Sequence, residues 1–270
     1  MKIRILMLSL IGLIFFNSCS SDSNSSNSTS QNLDPDNILP KKVLYDNSFD
    51  ESGSYEFFYN QNKIDHIEFK SDYGSDYTTN FYFTYSGDLI TKIEGLDISG
   101  NVIYDMNLTY QNNNLIQKTI DFYYYPSVSE EHHIISYTYN TNQTISVNND
   151  IYDENNVLIT NDSSIYTTLN GLTTKIYNYQ IFYTSTYSPF KNIVGLDKVF
   201  IDVDSSISGS DNQPMFKDLT GLFISPKFNV LKSLNREFSF IYNEIEFPIN
   251  IRGTDPNGNS LNKNYHFIYQ

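Results

Sequence analysis

The chain has 270 residues, 39% hydrophobic and 16% aromatic, with 23 Tyr, 19 Phe and no Trp, so a core can form and much of it must be amphipathic tyrosine. Its 17 basic and 31 acidic residues give a formal charge of −14, which repels nucleic acid and anionic headgroups and argues against long-range steering of an anionic substrate. There is one cysteine, so no internal disulfide can form and stability must come from packing and hydrogen bonds.

In chain order, Lys2 and Arg4 precede an apolar run from Leu6 to Phe16, then the small residue Ser18 and Cys19. This order predicts a secretory signal over residues 1–18, too short to cross a bilayer as a helix. Phe16-Asn17-Ser18-Cys19 resembles the lipobox of bacterial lipoproteins. It has Phe and Asn where the commonest form has Leu and Ala or Ser, as lipoproteins of the Bacteroidota type often do. The resemblance implies cleavage before Cys19 and lipidation of its thiol. At ~0.8 kcal/mol per buried methylene, two or three acyl chains form an effectively permanent membrane anchor. The rival reading, a core cysteine behind an ordinary signal, sits badly with the hydrophilic tract that follows. In the sorting logic of such lipoproteins Asp after the Cys retains the protein in the inner membrane. Ser20 stands there, which points to the outer membrane, with its periplasmic or surface side left open.

Residues 19–39 comprise Cys19 and a Ser/Asn-rich stretch with too little apolar surface to offset the entropy of ordering, and they read as a tether. Residues 40–270 then read as a single β domain, with clear repeats over 40–180 and a weaker completion over 181–270. Five segments share an aromatic strand end, a polar turn and an apolar pair: Tyr59 with Ile64 and Ile67, Tyr85 with Ile90 and Ile93, Tyr110 with Leu115 and Ile116, Tyr139 with Ile145 and Val147, and Tyr166 with Leu172 and Ile176. Such regular spacing marks an internal repeat. Alternation within each unit predicts hairpins, with Phe81, Phe83 and Tyr85 on one face and, on the return strand, Leu89, Thr91 and Ile93 sharing a face. Asp50-Glu51-Ser52-Gly53, Asp97-Ile98-Ser99-Gly100, Asp153-Glu154-Asn155-Asn156 and Asp255-Pro256-Asn257-Gly258 read as turns at the opposite end.

The segment Ile151 to Leu158 resembles the tyrosine-aspartate repeats of Rhs-type surface proteins. Over residues 40–270, the Tyr-Asn-x-Asn-x-Ile hairpins and Ser188-Pro189-Phe190-Lys191-Asn192 resemble flavobacterial-type lipoproteins of an unknown-function family described as porin-like in fold. Past Ile176, strands are expected at Tyr179–Tyr183, Lys198–Val203, Phe238–Tyr242, Ile245–Arg252 and Tyr265–Tyr269, with a helix or turn over Ser188–Gly195 and a polar loop from Asp202 to Gln213. The resulting expectation is an all-β antiparallel meander of about a dozen strands, curled into a barrel or half-barrel that hides its edges. A membrane-spanning barrel is disfavoured because Asp65, Lys92 and Lys118 are expected to face outward and no Trp girdle exists.

Candidate chemistry is sparse. Glu130-Glu131-His132-His133 offers possible metal ligands, but neighbours on a strand point to opposite faces. Asp202, Asp204, Asp255, Asn257 and Asn259 are weak calcium candidates that turn chemistry explains equally well. No spacing singles out a glycosidase-like carboxylate pair, and there is no nucleophile elbow or phosphate loop. The expectation is a non-enzymatic lipoprotein without cofactor or metal, anchored through Cys19, whose domain serves as a structural or interaction module for an unknown protein or glycan partner and not for nucleic acid. The alternative is a carrier or receptor that holds a glycan, peptide or apolar molecule in the lumen or on a Tyr-rich face.

Overall fold

The computed structural model of the chain describes residues 35–47, 51–71, 77–125, 128–170, 172–176, 179–199, 228–233, 236–254 and 260–270. The chain divides into two compact units, Met1–Asn32 and Leu33–Gln270, and every described residue belongs to the second.

The described residues form a nearly all-β antiparallel meander of seventeen strands. The first nine are β1 (Pro40–Asn47), β2 (Glu51–Asn60), β3 (Lys63–Ser71), β4 (Tyr77–Ser86), β5 (Leu89–Asp97), β6 (Val102–Gln111), β7 (Asn114–Tyr125), β8 (Val128–Tyr139) and β9 (Thr144–Asp153). They continue through β10 (Leu158–Leu169), β11 (Leu172–Ile176), β12 (Tyr179–Gln180) and β13 (Phe182–Tyr187) to a four-residue helix, α1 (Leu196–Val199). The C-terminal strands are β14 (Phe228–Ser233), β15 (Arg236–Tyr242), β16 (Pro248–Thr254) and β17 (Ser260–Tyr269).

Apart from β12 and β13, strands adjacent in sequence pair with one another, and β1 lies between β2 and the last strand, β17. The two ends of the sheet are therefore β12, paired to β11, and β13, paired to β14. Only Ile181 separates them in the chain, so the sheet must curl round until its edges meet, although no ladder joins β12 to β13. The seam is fastened otherwise: Ile181 N–H donates to Thr174 O, and the Tyr183 hydroxyl donates to Thr173 O at 2.6 Å. The strand count exceeds the expected dozen because β12 to β14 are two to six residues long, too short for an alternation to register.

The hairpins share a device that strict alternation misses. The ladder skips one residue in the return strand beside Tyr59, Tyr85 and Tyr110, leaving Asp65, Thr91 and Ile116 unpaired as β-bulges. One inserted residue moves everything beyond it to the other face. Buried residues therefore recur three apart across the bulge, Ile64 with Ile67 and Ile90 with Ile93. The expected shared face of Leu89, Thr91 and Ile93 is thus wrong, since Ile90 turns inward with Ile93. The same shift turns Lys118 inward, against the outward position expected for it, and its side chain is buried with Leu115 and Ile120. The β8–β9 hairpin has no bulge, and there Ile145 and Val147 are buried two apart. In the fifth hairpin Thr168 holds the position next to the turn-closing pair that Tyr59 holds in the first, so Tyr166 lies two residues out of phase with the repeat.

Two of the expected turns form as read. Asp97 Oδ1 accepts from Ser99 N–H and Asn101 N–H at 2.8 Å each, and Gly100 has φ +82°. Asp153 Oδ1 accepts from Asn155 and Val157 N–H, and Asn156 has φ +59°. A third copy went unread: Asn243 Oδ1 caps Ile245 and Phe247 N–H, with Glu246 at φ +65°. Ile245 is therefore in a turn and its strand starts only at Pro248. Glu51, Ser52 and Gly53 lie inside β2 rather than in a turn, and Lys198 belongs to α1 rather than to a strand. Asp50, the Asp202–Gln213 segment and the Asp255–Gly258 turn lie outside the described residues.

Segment 188–199 closes the turn end of the core. Ser188, Pro189, Phe190, Ile193, Leu196 and Val199 are all buried. Phe190 contacts Phe57 and Phe267 at 6.1 and 5.9 Å between ring centroids. Val194 N–H donates to Asn62 O in the β2–β3 turn, and Gly195 sits against the β4–β5 turn, where an added Cβ would meet Asp88 O at 2.6 Å. Asn192 Nδ2 ties the same segment to Pro35 O and Ile38 O.

Candidate functional site

Among the described residues, the inner face of the curled sheet is covered by packed side chains. Tyr55, Tyr104, Phe81, Phe190, Ile67, Ile90 and Met106 are each less than 2% exposed, and they belong to one continuous core. The repeated tyrosines lie where their bulges meet this core. The Tyr59 hydroxyl donates to Pro40 O, the Tyr85 hydroxyl accepts from Ile64 N–H, and burial pushes the Tyr85 phenol up to about 12. Burial also raises Tyr59, Tyr110 and Tyr269. A phenol that titrates above the physiological range is held as a packing and hydrogen-bonding group.

One part of the interior is polar. Inward positions on β7 to β9 carry Lys118, Glu131, His133 and Asn149, with Lys118 and Asn149 on either side of Ile135 and Glu131 further along β8 beyond His133. His133 is fully buried, its Nε2 lies 3.2 Å from Glu131 Oε2, and Phe122 packs edge-on against its ring at 5.4 Å. The Nδ1 atom of His133 and Oδ1 of Asn149 are buried without a hydrogen-bond partner. A neutral ring that donates from Nε2 to Glu131 and leaves Nδ1 as a bare acceptor accounts for this. His132, the next residue, faces outward and meets Asp121 Oδ1 at 2.7 Å. The Glu131-His132-His133 run is thus split between two faces, as strand geometry demands. Among the described residues no three His, Cys, Asp or Glu side chains come together to hold a metal ion. Cys19, Asp202, Asp204, Asp255, Asn257 and Asn259 lie outside the described residues.

Burial lowers the His133 pKa from 6.5, against the hydrogen bond and charge of Glu131, which raise it; the neighbouring His132 also lowers it and Asp121 raises it. The unfolded chain therefore takes up this proton before the folded one does. The stability linked to a neutral His133 is complete above pH 6.5 and falls as pH drops from there toward the depressed folded value. Urea unfolding of the native chain between pH 7.5 and 5 should show this loss, and His133→Gln should flatten it. An unchanged slope in the variant would assign the loss to other groups.

The outer face carries a different arrangement. Lys92 Nζ lies 2.7 Å from Glu94 and 3.0 Å from Asp105, and Lys70 pairs with Glu68 at 3.0 Å. The hydrogen bond to Glu94 raises the Lys92 pKa, burial opposes it, and Asp105 adds to the rise. Phe58, His66 and Tyr82 stack across β2 to β4, with centroids 4.2 and 5.5 Å apart. Because these rings stack on one another, their faces are spent within the ladder and do not form a platform for a flat ligand.

Further round, the outer faces of β8 to β11 form an open groove of about 720 Å³. Ser136 and Thr138 of β8, Ser146 and Asn148 of β9, Ser163, Ile165 and Thr167 of β10, and Lys175 of β11 line it. Register places them in rows, with Ser136 opposite Asn148 opposite Ser163, and Thr138 opposite Ser146 opposite Ile165. Ser163 Oγ donates to Asn148 Oδ1 at 2.7 Å, Asn140 Nδ2 donates to Ser146 Oγ at 3.0 Å, and Lys175 pairs with Thr167 in the ladder. Sequence reasoning missed this site. Its signal was the run of small polar residues at alternate positions in three successive strands, which passed for ordinary solvent-facing composition.

No protein-family model matches the chain, and no curated protein matches it. Among solved structures, a porin-like protein from Bacteroides uniformis is 9% identical, with a TM-score of 0.41 over 86% of this chain and 98% of that one. A porin-like protein from Bacteroides vulgatus is 11% identical, with a TM-score of 0.41 over 86% of this chain and 99% of that one.

Proposed function

We propose that the chain is a lipoprotein, held at the outer membrane through Cys19, whose curled β domain is a non-enzymatic structural or interaction module. The observation that carries this reading is the packed inner face. Among the described residues, large buried aromatic side chains pack the inner face of the sheet, where a carrier would need room for its cargo. Partners must then be met on the outside of the sheet. Mid-strand ion pairs such as Lys92 with Glu94 and Asp105 make that outside a surface for water, since such groups are costly against lipid tails. The signal-like residues 1–18 and Ser20 after the Cys supply the address.

Expression in a Bacteroidota host with labelled palmitate, followed by membrane fractionation, tests the anchor. The native chain should carry the label and sediment with outer membranes, whereas Cys19→Ser should lose the label and appear in the soluble fraction. A Cys19→Ser chain that remains in the membrane fraction without label would sink the lipid-anchor reading.

A further inference from the structure

We propose that the groove across the outer faces of β8 to β11 binds an oligosaccharide bearing a carboxylate, with Lys175 as the group that recognises the negative charge. The proposal rests on the interaction-module reading and gives that module a site and a ligand class. The groove's volume of about 720 Å³ is that of a small-ligand site. Its lining sets polar groups among a larger share of apolar surface, a mixture that suits the hydroxyls and C–H faces of a sugar. Five hydroxyl side chains at Ser136, Thr138, Ser146, Ser163 and Thr167 and the amide of Asn148 present donors and acceptors on one face. Neighbouring strands set these groups ~4.8 Å apart, and same-face residues along a strand are about 6.8 Å apart. That two-dimensional spacing suits the hydroxyls of successive sugar rings, and exposed Ile165 adds a small apolar patch for a ring's C–H face.

Charge decides the ligand further. The chain has 31 acidic residues, yet among the described residues none lines this groove, and the one charged lining residue among them is Lys175. Lys175 is half-buried, and among the described residues it makes no ion pair. An ammonium left without a carboxylate in so acidic a chain is set to receive one from a ligand, through a charge-assisted hydrogen bond. The overall negative charge repels an acidic glycan at long range. Beyond about 8 Å, however, physiological salt screens that field, and the contact at Lys175 is local.

The test is calorimetric titration of the full chain in detergent micelles with trigalacturonate, and with maltotriose as a neutral trisaccharide. The expected result is saturable binding of trigalacturonate, weaker binding of maltotriose, and about a tenfold loss of trigalacturonate affinity in Lys175→Gln that Lys175→Arg restores. Lys41→Gln, the same charge change on an exposed β1 residue, should leave affinity unaltered. Equal weakening by Lys41→Gln and Lys175→Gln would overturn the site, because net charge alone would then explain binding. Equal affinity for both sugars, or no binding of either, would overturn the ligand class. The module reading fails on a different result, cleavage of trigalacturonate by the native chain that persists in Lys175→Gln, since that would make the chain an enzyme.

Discussion

Phe190→Ala should destabilise the domain by about 3–5 kcal/mol, the usual range when a buried phenylalanine is cut to a methyl group and its cavity cannot collapse. The site cannot collapse because three separate pieces of chain meet there. Phe190 packs on Phe57 of β2 and Phe267 of β17, strands that flank β1 on either side. The neighbours that could fill the gap are held by their own bonds, Lys191 N–H and Ile193 N–H to the carbonyls of Ser188 and Phe190, and Asn192 to Ile38. For a domain of this size the melting temperature should drop by roughly 6–20 °C. Phe182→Ala removes the same side chain from a half-exposed position in β13 and should shift stability by well under 1 kcal/mol. Equal melting temperatures for the two variants would show that segment 188–199 lies on the sheet without closing its core.

What could be read from residues alone depended on whether the chemistry was local. Asp97 to Gly100 and Asp153 to Asn156 were legible because a side-chain oxygen and a positive φ within four residues make the turn without outside help. Asn243 makes the same turn with Glu246 at positive φ, and was passed over because neither Asp nor Gly marks it. The bulges were present in the sequence as apolar pairs three apart, Ile64 with Ile67 and Ile90 with Ile93, but a strict period of two assigned their faces wrongly. Lys118 shows the consequence: a lysine in an alternating strand reads as outward, and one skipped residue at Ile116 brings it inside. The closing segment also left a signal, Phe190, Ile193, Leu196 and Val199 at intervals of three. Its short helix and turns gave no pattern long enough to assign, and burial there depends on strands more than a hundred residues away. The groove was least legible, since it exists only where four strands set their polar faces side by side.

Gly53→Ala should cost about 1–3 kcal/mol, although alanine is the better residue for an unfolded chain to give up. Gly53 pairs with Tyr45 of β1 on one side and Ser71 of β3 on the other. The Tyr45 ring lies across it, in a cluster with Phe69 at 6.0 Å and Tyr55 at 5.7 Å. An added Cβ would meet Tyr45 Cε1 at 2.6 Å and its hydroxyl oxygen at 2.7 Å, and would clash with the backbone oxygen of Lys70 as well. These contacts differ in what can yield. The ring can turn aside at the expense of its stacking, whereas the Lys70 oxygen moves only if β2 parts from β3. Removing the ring should therefore not relieve the strain. In a double-mutant cycle, Tyr45→Leu and Gly53→Ala should add or worsen one another, with no recovery of stability in the pair. Full recovery would place the clash on the tyrosine alone. Gly100→Ala is a useful contrast, because nothing lies within 4 Å of its added Cβ and its cost comes from φ +82°. Loss there should stay local to the turn, while loss at Gly53 should appear as weakened amide protection on both β2 and β3.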